Sequence, residues 1–257
     1  MEHILDGPTK LVQINRLKTV PTGLYAAYHS VIARINQKDF AMRIISWIYY
    51  SRRILQMDEL LEALVVEEYS QNASGDEELD AILEYMVTPT EIVDACKGLV
   101  LYEELSGSVR FSHETIKGFI KSDLEAKLVA QTSLAKTCLT YLGSKVFDVP
   151  CTDRTIFKGR ITTYKFSRYA SQYWTDHIRG DEEEILQDMV VDTFGLIGRR
   201  ESIGQIKIYS ESSWGEFIRS TGWSLLHVVA ASGLAIICSR VLYGNDHMYI
   251  ISSVVVN

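Results

Sequence analysis

Thr88-Pro89-Thr90-Glu91-Ile92-Val93-Asp94-Ala95-Cys96-Lys97-Gly98-Leu99 is the most sharply punctuated stretch of the chain, and Val109-Arg110-Phe111-Ser112-His113 completes its meaning. Thr88 offers a hydroxyl at a helix N-cap. Pro89 takes the first helical position, where a missing N–H costs nothing, and Glu91 stands where a carboxylate can reach back to the N-cap amide. The spacing predicts a helix through Ile92, Val93 and Cys96 that stops at Gly98. Leu99 to Glu104 and Ser108 to His113 then read as two short strands around Ser106-Gly107, because Val109, Phe111 and His113 alternate with Arg110 and Ser112. Ser112 is expected to cap a further helix, Glu114 to Lys121, with Ile116, Phe119 and Ile120 facing inward.

Toward the N-terminus, Leu24, Tyr28, Val31, Ile32 and Ile35 recur at the helical period, and Phe40, Ala41, Ile44, Ile45 and Ile48 repeat it after a polar break. Pro21 and Gly23 punctuate the start of this helix pair. A short extended segment, Arg53-Ile54-Leu55, leads to a third helix marked by Met57, Leu60, Leu61 and Leu64, with Asp58 and Glu59 in its first turn. An acidic loop from Glu67 to Glu78, expected to be solvated, closes this part. Helix, helix, short strand, helix, capped helix and hairpin is the order of a winged helix, whose minimum is three helices and a two-stranded wing.

After Asp123 the pattern is helical throughout. Leu128, Ala135, Leu139 and Leu142 form one stripe; Phe166, Tyr169, Ala170, Tyr173, Trp174, His177 and Ile178 form a wide aromatic one that reads as core. A loop containing Pro150 and Gly159 is expected between them. A second loop, around Gly180-Asp181, precedes a helix from Glu182 to Ile197, and Gly198 to Ser213 shows no clear period.

The chain has 257 residues and is 47% hydrophobic, ample for a packed core. A net charge of -7 and a pI near 5.4 remove the electrostatic term behind non-specific nucleic-acid affinity and leave no polybasic membrane patch. Cys96, Cys138, Cys151 and Cys238 are scattered, without the close spacing of a structural zinc site, and read as reduced thiols. Met1-Glu2-His3-Ile4-Leu5-Asp6 does not begin as a signal peptide does, and Leu225 to Cys238 is too short to span a bilayer. The expectation is a cytoplasmic protein.

Pro21-Thr22-Gly23-Leu24-Tyr25-Ala26-Ala27-Tyr28, Ile44-Ile45-Ser46-Trp47-Ile48, Arg52-Arg53-Ile54-Leu55 and Asp58-Glu59-Leu60-Leu61-Glu62-Ala63-Leu64 occur in an order that resembles fungal NACHT-type STAND proteins. The matching stretch there is the winged-helix module named after GPI inositol-deacylase, just after the nucleotide-binding domain. The likeness continues through the Ile92 to Leu99 and Val109 to His113 segments to Phe119-Ile120-Lys121-Ser122. Leu139-Thr140-Tyr141-Leu142 and Arg168-Tyr169-Ala170-Ser171-Gln172-Tyr173-Trp174 resemble the helical linker next to it, so the resemblance spans roughly 20 to 178. It implies a module that packs on a nucleotide domain and relays its state in self/non-self or defence signalling.

Gly222, Ser224, Leu226, His227, Ala230, Gly233, Ile237, Val241 and Leu242 fall at the offsets of an ankyrin repeat, whose Thr-Pro-Leu-His corner is similar to Ser224-Leu225-Leu226-His227. In that repeat the hydroxyl and the histidine hold a tight corner, which makes His227 structural. Leu225 in place of proline and Val229 in place of alanine make the repeat degenerate. A lone repeat cannot bury its own face. Leu226, Val229, Ile237, Val241 and Leu242 are therefore expected to be covered on one side by the helices before them, with Trp214 and Phe217 adjoining, and on the other by the tail Tyr249-Ile250-Ile251 or by a partner. Residues beyond Gly244 are expected to be the least ordered.

Catalytic chemistry finds no foothold. There is no Gly-x-Ser-x-Gly elbow. His113-Glu114 begins like a zinc-protease helix, but Lys117 occupies the second histidine's position, and Ser112-His113-Glu114 reads as a helix cap. No phosphate-cradling glycine loop occurs, so the nucleotide-binding domain of the STAND pattern is absent from this sequence. Gly195-Leu196-Ile197-Gly198-Arg199-Arg200 reads instead as a helix C-terminus with arginines at its negative end. The helix Thr90 to Lys97 before the wing presents Glu91 and Asp94 with only Lys97 to offset them, unlike a groove-reading helix.

The sequence thus predicts a mainly α protein: a lead segment 1–20, a winged helix 21–122, a helical linker region 123–213, and a degenerate ankyrin-type repeat with tail, 214–257. It is expected to be non-enzymatic, with no catalytic, cofactor-binding or metal residues and no cofactor. Its partners would be proteins, met through helical and ankyrin-type surfaces, with oligomers in a longer gene product. Thr88, Glu91, Gly222, Ser224, Leu226, His227 and Gly233 are its structural positions. The rival readings are a winged-helix DNA-binding regulator and a hydrolase.

Overall fold

A computed structural model describes residues 23–72, 77–178, 182–212 and 217–243. The fold is mainly α with one three-stranded sheet. Helices α1 (Leu24–Ala33) and α2 (Lys38–Tyr50) lead to β1 (Leu55–Gln56), α3 (Met57–Asn72), the short α4 (Leu79–Leu83) and α5 (Pro89–Ala95). Strands β2 (Val100–Glu103) and β3 (Ser108–Phe111) come next, then α6 (Thr115–Phe119), which continues into a π turn, Ile120–Leu124. The remainder is helical: α7 (Gln131–Leu142), α8 (Arg154–Thr163), α9 (Ser167–Tyr173) with a 3-10 turn Trp174–His177, α10 (Glu182–Gly195), α11 (Ile197–Glu211), α12 (Leu225–Ala231) and α13 (Ala235–Tyr243).

The sheet is antiparallel in the order β1-β3-β2, with Leu55 opposite Val109 and Val100 opposite Phe111. Leu55, Val100, Val109 and Phe111 are buried, so the sheet turns one face to the core. At the end of α5, Lys97 and Gly98 both adopt the left-handed conformation, φ 49° and 87°, which reverses the chain straight into β2. Glycine takes that conformation without strain, and the lysine is carried along by the turn.

One continuous apolar core joins the sheet and helices α2 to α5 to the helical region beyond. Helix α7 lies at its centre, touching α3, α9 and α10. The aromatic stripe is core: Phe166, Tyr169, Trp174 and Ile178 are buried, and Phe166 meets Trp47 of α2 edge-on at 5.4 Å. Each large side chain removed from water here stabilises the fold by roughly 1.5–3 kcal/mol.

Several expectations are corrected. The stretch from Gly198 on, which shows no clear period in sequence, is helical as far as Glu211 in α11, and α10 ends at Gly195 rather than running to Ile197. The expected loop with Pro150 and Gly159 contains α8, whose N-cap Asp153 accepts the amides of Thr155 and Ile156 at 2.8 and 2.9 Å. The acidic loop is helical at its start, since α3 runs to Asn72, and Glu67 is buried rather than solvated. Ser112 does not cap α6; its amide extends the sheet by donating to Leu99 O, and the His113 ring accepts the Thr115 amide instead. Phe217 packs on Phe157 of α8 rather than beside the terminal pair, whereas α12 and α13 do pack on a helix before them, α10, as expected. Pro21, Gly180-Asp181, Trp214 and everything from Gly244 on lie outside the described residues.

Candidate interhelical seam

The buried charges of α3 result from its position. It is covered on nearly every side, so its glutamates must find donors inside the protein. Glu62 finds three: the Tyr141 hydroxyl of α7 and the amides of Lys165 and Phe166, at 3.0 and 2.9 Å, where the chain enters α9. Burial pushes its carboxyl above the usual range despite these bonds, and the Tyr141 phenol is driven well up by burial and by the Glu62 charge. Glu67 accepts from Trp47 Nε1 at 3.0 Å and Arg43 Nε at 3.3 Å, with Ser133 of α7 at 3.4 Å.

Beyond the end of α2, Arg53 forms a fork on Glu59, both bonds at 2.7 Å, and lies 5.2 Å over the Tyr169 ring and 5.8 Å over that of Tyr173. Planar guanidinium suits both contacts at once. The Arg52 amide donates to the Tyr169 hydroxyl at 3.3 Å, and the Arg52 guanidinium reaches Asp176 O at 2.7 Å. Tyr169 in turn meets His177 Nε2 at 2.9 Å, while His177 Nδ1 is buried without a partner among the described residues. Burial, then the Arg52 charge, lowers the His177 pKa to about 4, so the ring is neutral near pH 7. The Ser46 hydroxyl completes the seam, bonding Met42 O and receiving the Val129 amide at 2.9 Å.

A second polar cluster ties α11 to α10 and to the segment leading into α12. Arg200 donates to Phe194 O at 2.7 Å and Gly195 O at 3.3 Å, the C-terminal carbonyls of α10, and to Trp223 O at 2.7 Å. Glu201 accepts the amides of Thr221 and Gly222, and Gln205 bridges Cys151 to Arg219 O. Arginine therefore does serve the end of α10, from the first turn of the next helix.

Of the structural positions named from sequence, Gly222 joins the second cluster through its amide on Glu201, and the others lie outside both. Thr88 and Glu91 form a reciprocal capping box on the exposed start of α5, with Glu91 N to Thr88 Oγ1 at 3.3 Å and Thr88 N to the Glu91 carboxylate at 2.7 Å. Ser224 and His227 form a second such box: the Ser224 amide donates to His227 Nδ1 at 3.1 Å, and the His227 amide to Ser224 Oγ at 3.3 Å. Nδ1 is thus unprotonated, free to accept the Ser224 hydroxyl at 2.6 Å as well. Gly222 and Gly233 take φ values of 63° and 70° on either side of α12, and Leu226 is half-buried. His113 is exposed and bonded to Thr115 Oγ1 at 2.8 Å.

Sequence reading missed Glu62, Glu67, Glu201 and Gln205, and placed Arg200 at the end of one helix rather than in the first turn of the next. A faint signal exists for the glutamates, since Glu62 falls among the apolar residues of the helix that Leu60, Leu61 and Leu64 define. Among the described residues, no three His, Cys, Asp or Glu side chains are placed to hold a metal ion, and no helix is long and apolar enough to cross a membrane. No protein-family model, curated protein or solved structure matches the chain.

Proposed function

We propose that the chain is a non-enzymatic regulatory and protein-interaction segment of a STAND-type signalling protein. In this reading residues 21–122 are a winged-helix module, 123–213 a helical linker and 214–257 the start of an ankyrin-type stack. The segment relays conformational state between a nucleotide-binding domain and ankyrin repeats. The observation that carries the proposal is the seam: the buried Glu62 and Glu67 and the half-buried Arg53 reach across to α7 and α9, and the exposed Arg52 adds a bond to the turn after α9. Such groups tolerate few arrangements, because a displaced partner leaves a buried charge unpaired. A body held this way moves as a unit and passes a displacement of α3 to α7 and α9.

The capped α5 leading into the β2–β3 hairpin, with β1 completing the sheet, supports the winged-helix assignment. The Ser224–His227 corner and the paired helices α12 and α13 support the ankyrin-type one. No specific observation favours DNA binding, since exposed Glu91 and Asp94 face solvent on α5.

The test is Arg53→Met, which removes the fork on Glu59 and the cation over Tyr169 and Tyr173. Hydrogen exchange read by mass spectrometry should show faster exchange in α9 and also in α11 and α12. Change confined to α2, β1 and α3 would sink the relay reading.

A further inference from the structure

We propose that the cavity between α9, α11 and α12 is a binding site for a small aromatic carboxylate. The cavity holds about 200 Å³ and lies where the helical region meets the terminal helix pair. Trp174, Phe194 and Trp223 supply aromatic walls, and Trp174 stacks on Phe194 at 4.8 Å. Arg200 and Lys207 are the cations among its lining residues, and no carboxylate side chain of the described residues lines it.

Charge sets the ligand class. Arg200 is 2% exposed, yet its guanidinium donates to carbonyls: Trp223 O, Phe194 O and Gly195 O. These satisfy hydrogen bonds without cancelling the positive charge. The adjacent Glu201 turns its carboxylate to the Thr221 and Gly222 amides. Lys207 lines the cavity and stands 4.0 Å from Glu211, beyond hydrogen-bonding distance. An apolar cavity carrying a buried cation with no carboxylate bonded to it favours an anion, and a carboxylate matches a guanidinium in shape as well as charge.

Size sets the rest. An apolar cavity of about 150 Å³ accommodates benzene, so this one has room for a single ring with a short acidic substituent. Aromatic walls favour an aromatic ring, through offset and edge contacts. The site spans two bodies: Arg200 and Lys207 belong to α11, whereas His227, Val228 and Ser232 belong to α12 and its C-terminal cap. An occupied cavity therefore clamps α12 onto α11. The site is independent of the relay reading and stands or falls by itself.

Titration of the full chain with benzoate and phenylacetate, monitored by tryptophan fluorescence and calorimetry, tests it, with benzamide as the neutral isostere. The expected result is saturable binding of the carboxylates with Kd on the order of 0.1–1 mM, what about ten non-hydrogen atoms supply. Benzamide and the Lys207→Gln variant should each bind about tenfold more weakly or worse, the loss of one charge-assisted contact. Ala231→Leu, at an exposed residue on the cavity rim, should block binding while leaving the far-ultraviolet circular dichroism unchanged. If that variant fails to fold, the benzamide and Lys207→Gln comparisons decide the matter. No saturable response to either carboxylate overturns the proposal. So does benzamide binding as tightly as benzoate, or Lys207→Gln leaving the benzoate affinity unaltered.

Discussion

The Tyr141 hydroxyl on α7 donates to the Glu62 carboxylate on α3, and both residues are almost wholly buried. The same carboxylate holds the amides of Lys165 and Phe166, so one side chain fixes α3, α7 and the start of α9 relative to one another. Tyr141→Phe removes one of three donors and keeps the ring contacts with Phe147 and Phe166. It should cost about 1–3 kcal/mol in urea unfolding, the cost of a buried charged group left short of a partner. Glu62→Leu strands all three donors and should cost more than Tyr141→Phe; equal or smaller loss would mean the carboxylate does not organise the seam.

Two glycines separate close approach from mere sequence. A Cβ at Gly198 would stand 2.1 Å from the Asp148 carbonyl oxygen, a backbone atom that cannot step aside, so Gly198→Ala should destabilise by about 1–3 kcal/mol. A Cβ at Gly159, within α8, would meet nothing within 4 Å. Gly159→Ala should therefore stabilise by roughly 0.5–1 kcal/mol, from the lower entropy of the unfolded chain and better helix propensity. Thermal unfolding of both variants checks the opposite signs.

What could be read from the sequence was local. The Thr88 box and the Gly98 stop depend on neighbours within a few residues, and the strands around Gly107 on simple alternation, so chain order alone locates them. Helix α11 shows why the rest was hidden. Its buried residues include Arg200, Glu201, Ser202 and Gln205, which interrupt the apolar period of Ile203 and Ile206. Their partners, Phe194 O, Trp223 O, the Thr221 amide and the Cys151 backbone, come from other segments. Gly159 disguised α8 as a loop for the same reason that substituting it should help. Glu67 sat in an acidic run that looked solvated, and only the placement of Trp47 and Arg43 beside it explains its burial.

His177 makes stability depend on pH. Its pKa falls from 6.5 to about 4 in the fold, mainly by burial, so the folded state favours the neutral ring. The unfolded chain binds the proton first as pH drops, and folding then becomes less favourable. The contribution is complete above the ordinary histidine pKa and is lost as pH falls from 6.5 toward about 4. Over that interval it is worth on the order of 3 kcal/mol. His177→Phe should flatten this part of the stability profile, leaving the carboxylate contributions common to both proteins. Parallel curves for the two proteins between pH 6.5 and 4 would refute the assignment.

Thiol reactivity should separate the cysteines. Burial pushes Cys96 up to about 12 and raises Cys138 further, which removes the thiolate needed for attack. Cys151 is 3% exposed, whereas Cys238 is partly open on α13. Labelling of the native chain with an aromatic disulfide should modify Cys238 first, as read by peptide mass spectrometry, with Cys96 and Cys138 reacting only after denaturant. Early labelling of Cys96 would contradict the packing of α5 on the sheet.

The terminal helix pair is held by a charge at a helix start. Glu183 on α10, 6% exposed, accepts the Ile237 amide at 2.9 Å in the first turn of α13. That amide has no partner within its own helix, and the carboxylate also meets the positive end of the helix dipole. Around this bond Val229, Ile237 and Val241 are fully covered, but Leu242 remains 42% exposed, so apolar burial at this end is incomplete. Arg240 of α13 also pairs with Asp188 of α10, but that carboxylate is exposed, so the buried Glu183 tie should govern when the pair opens. Glu183→Ala is expected to raise hydrogen exchange in α12 and α13 by about tenfold or more, the equivalent of one charge-assisted bond to a buried amide. Exchange in α7, buried at the centre of the molecule, should stay as in the parent chain. A uniform rise across α7 and α13 would show that the pair unfolds only with the whole protein. No change at all would mean that packing on α10, rather than Glu183, holds the pair in place.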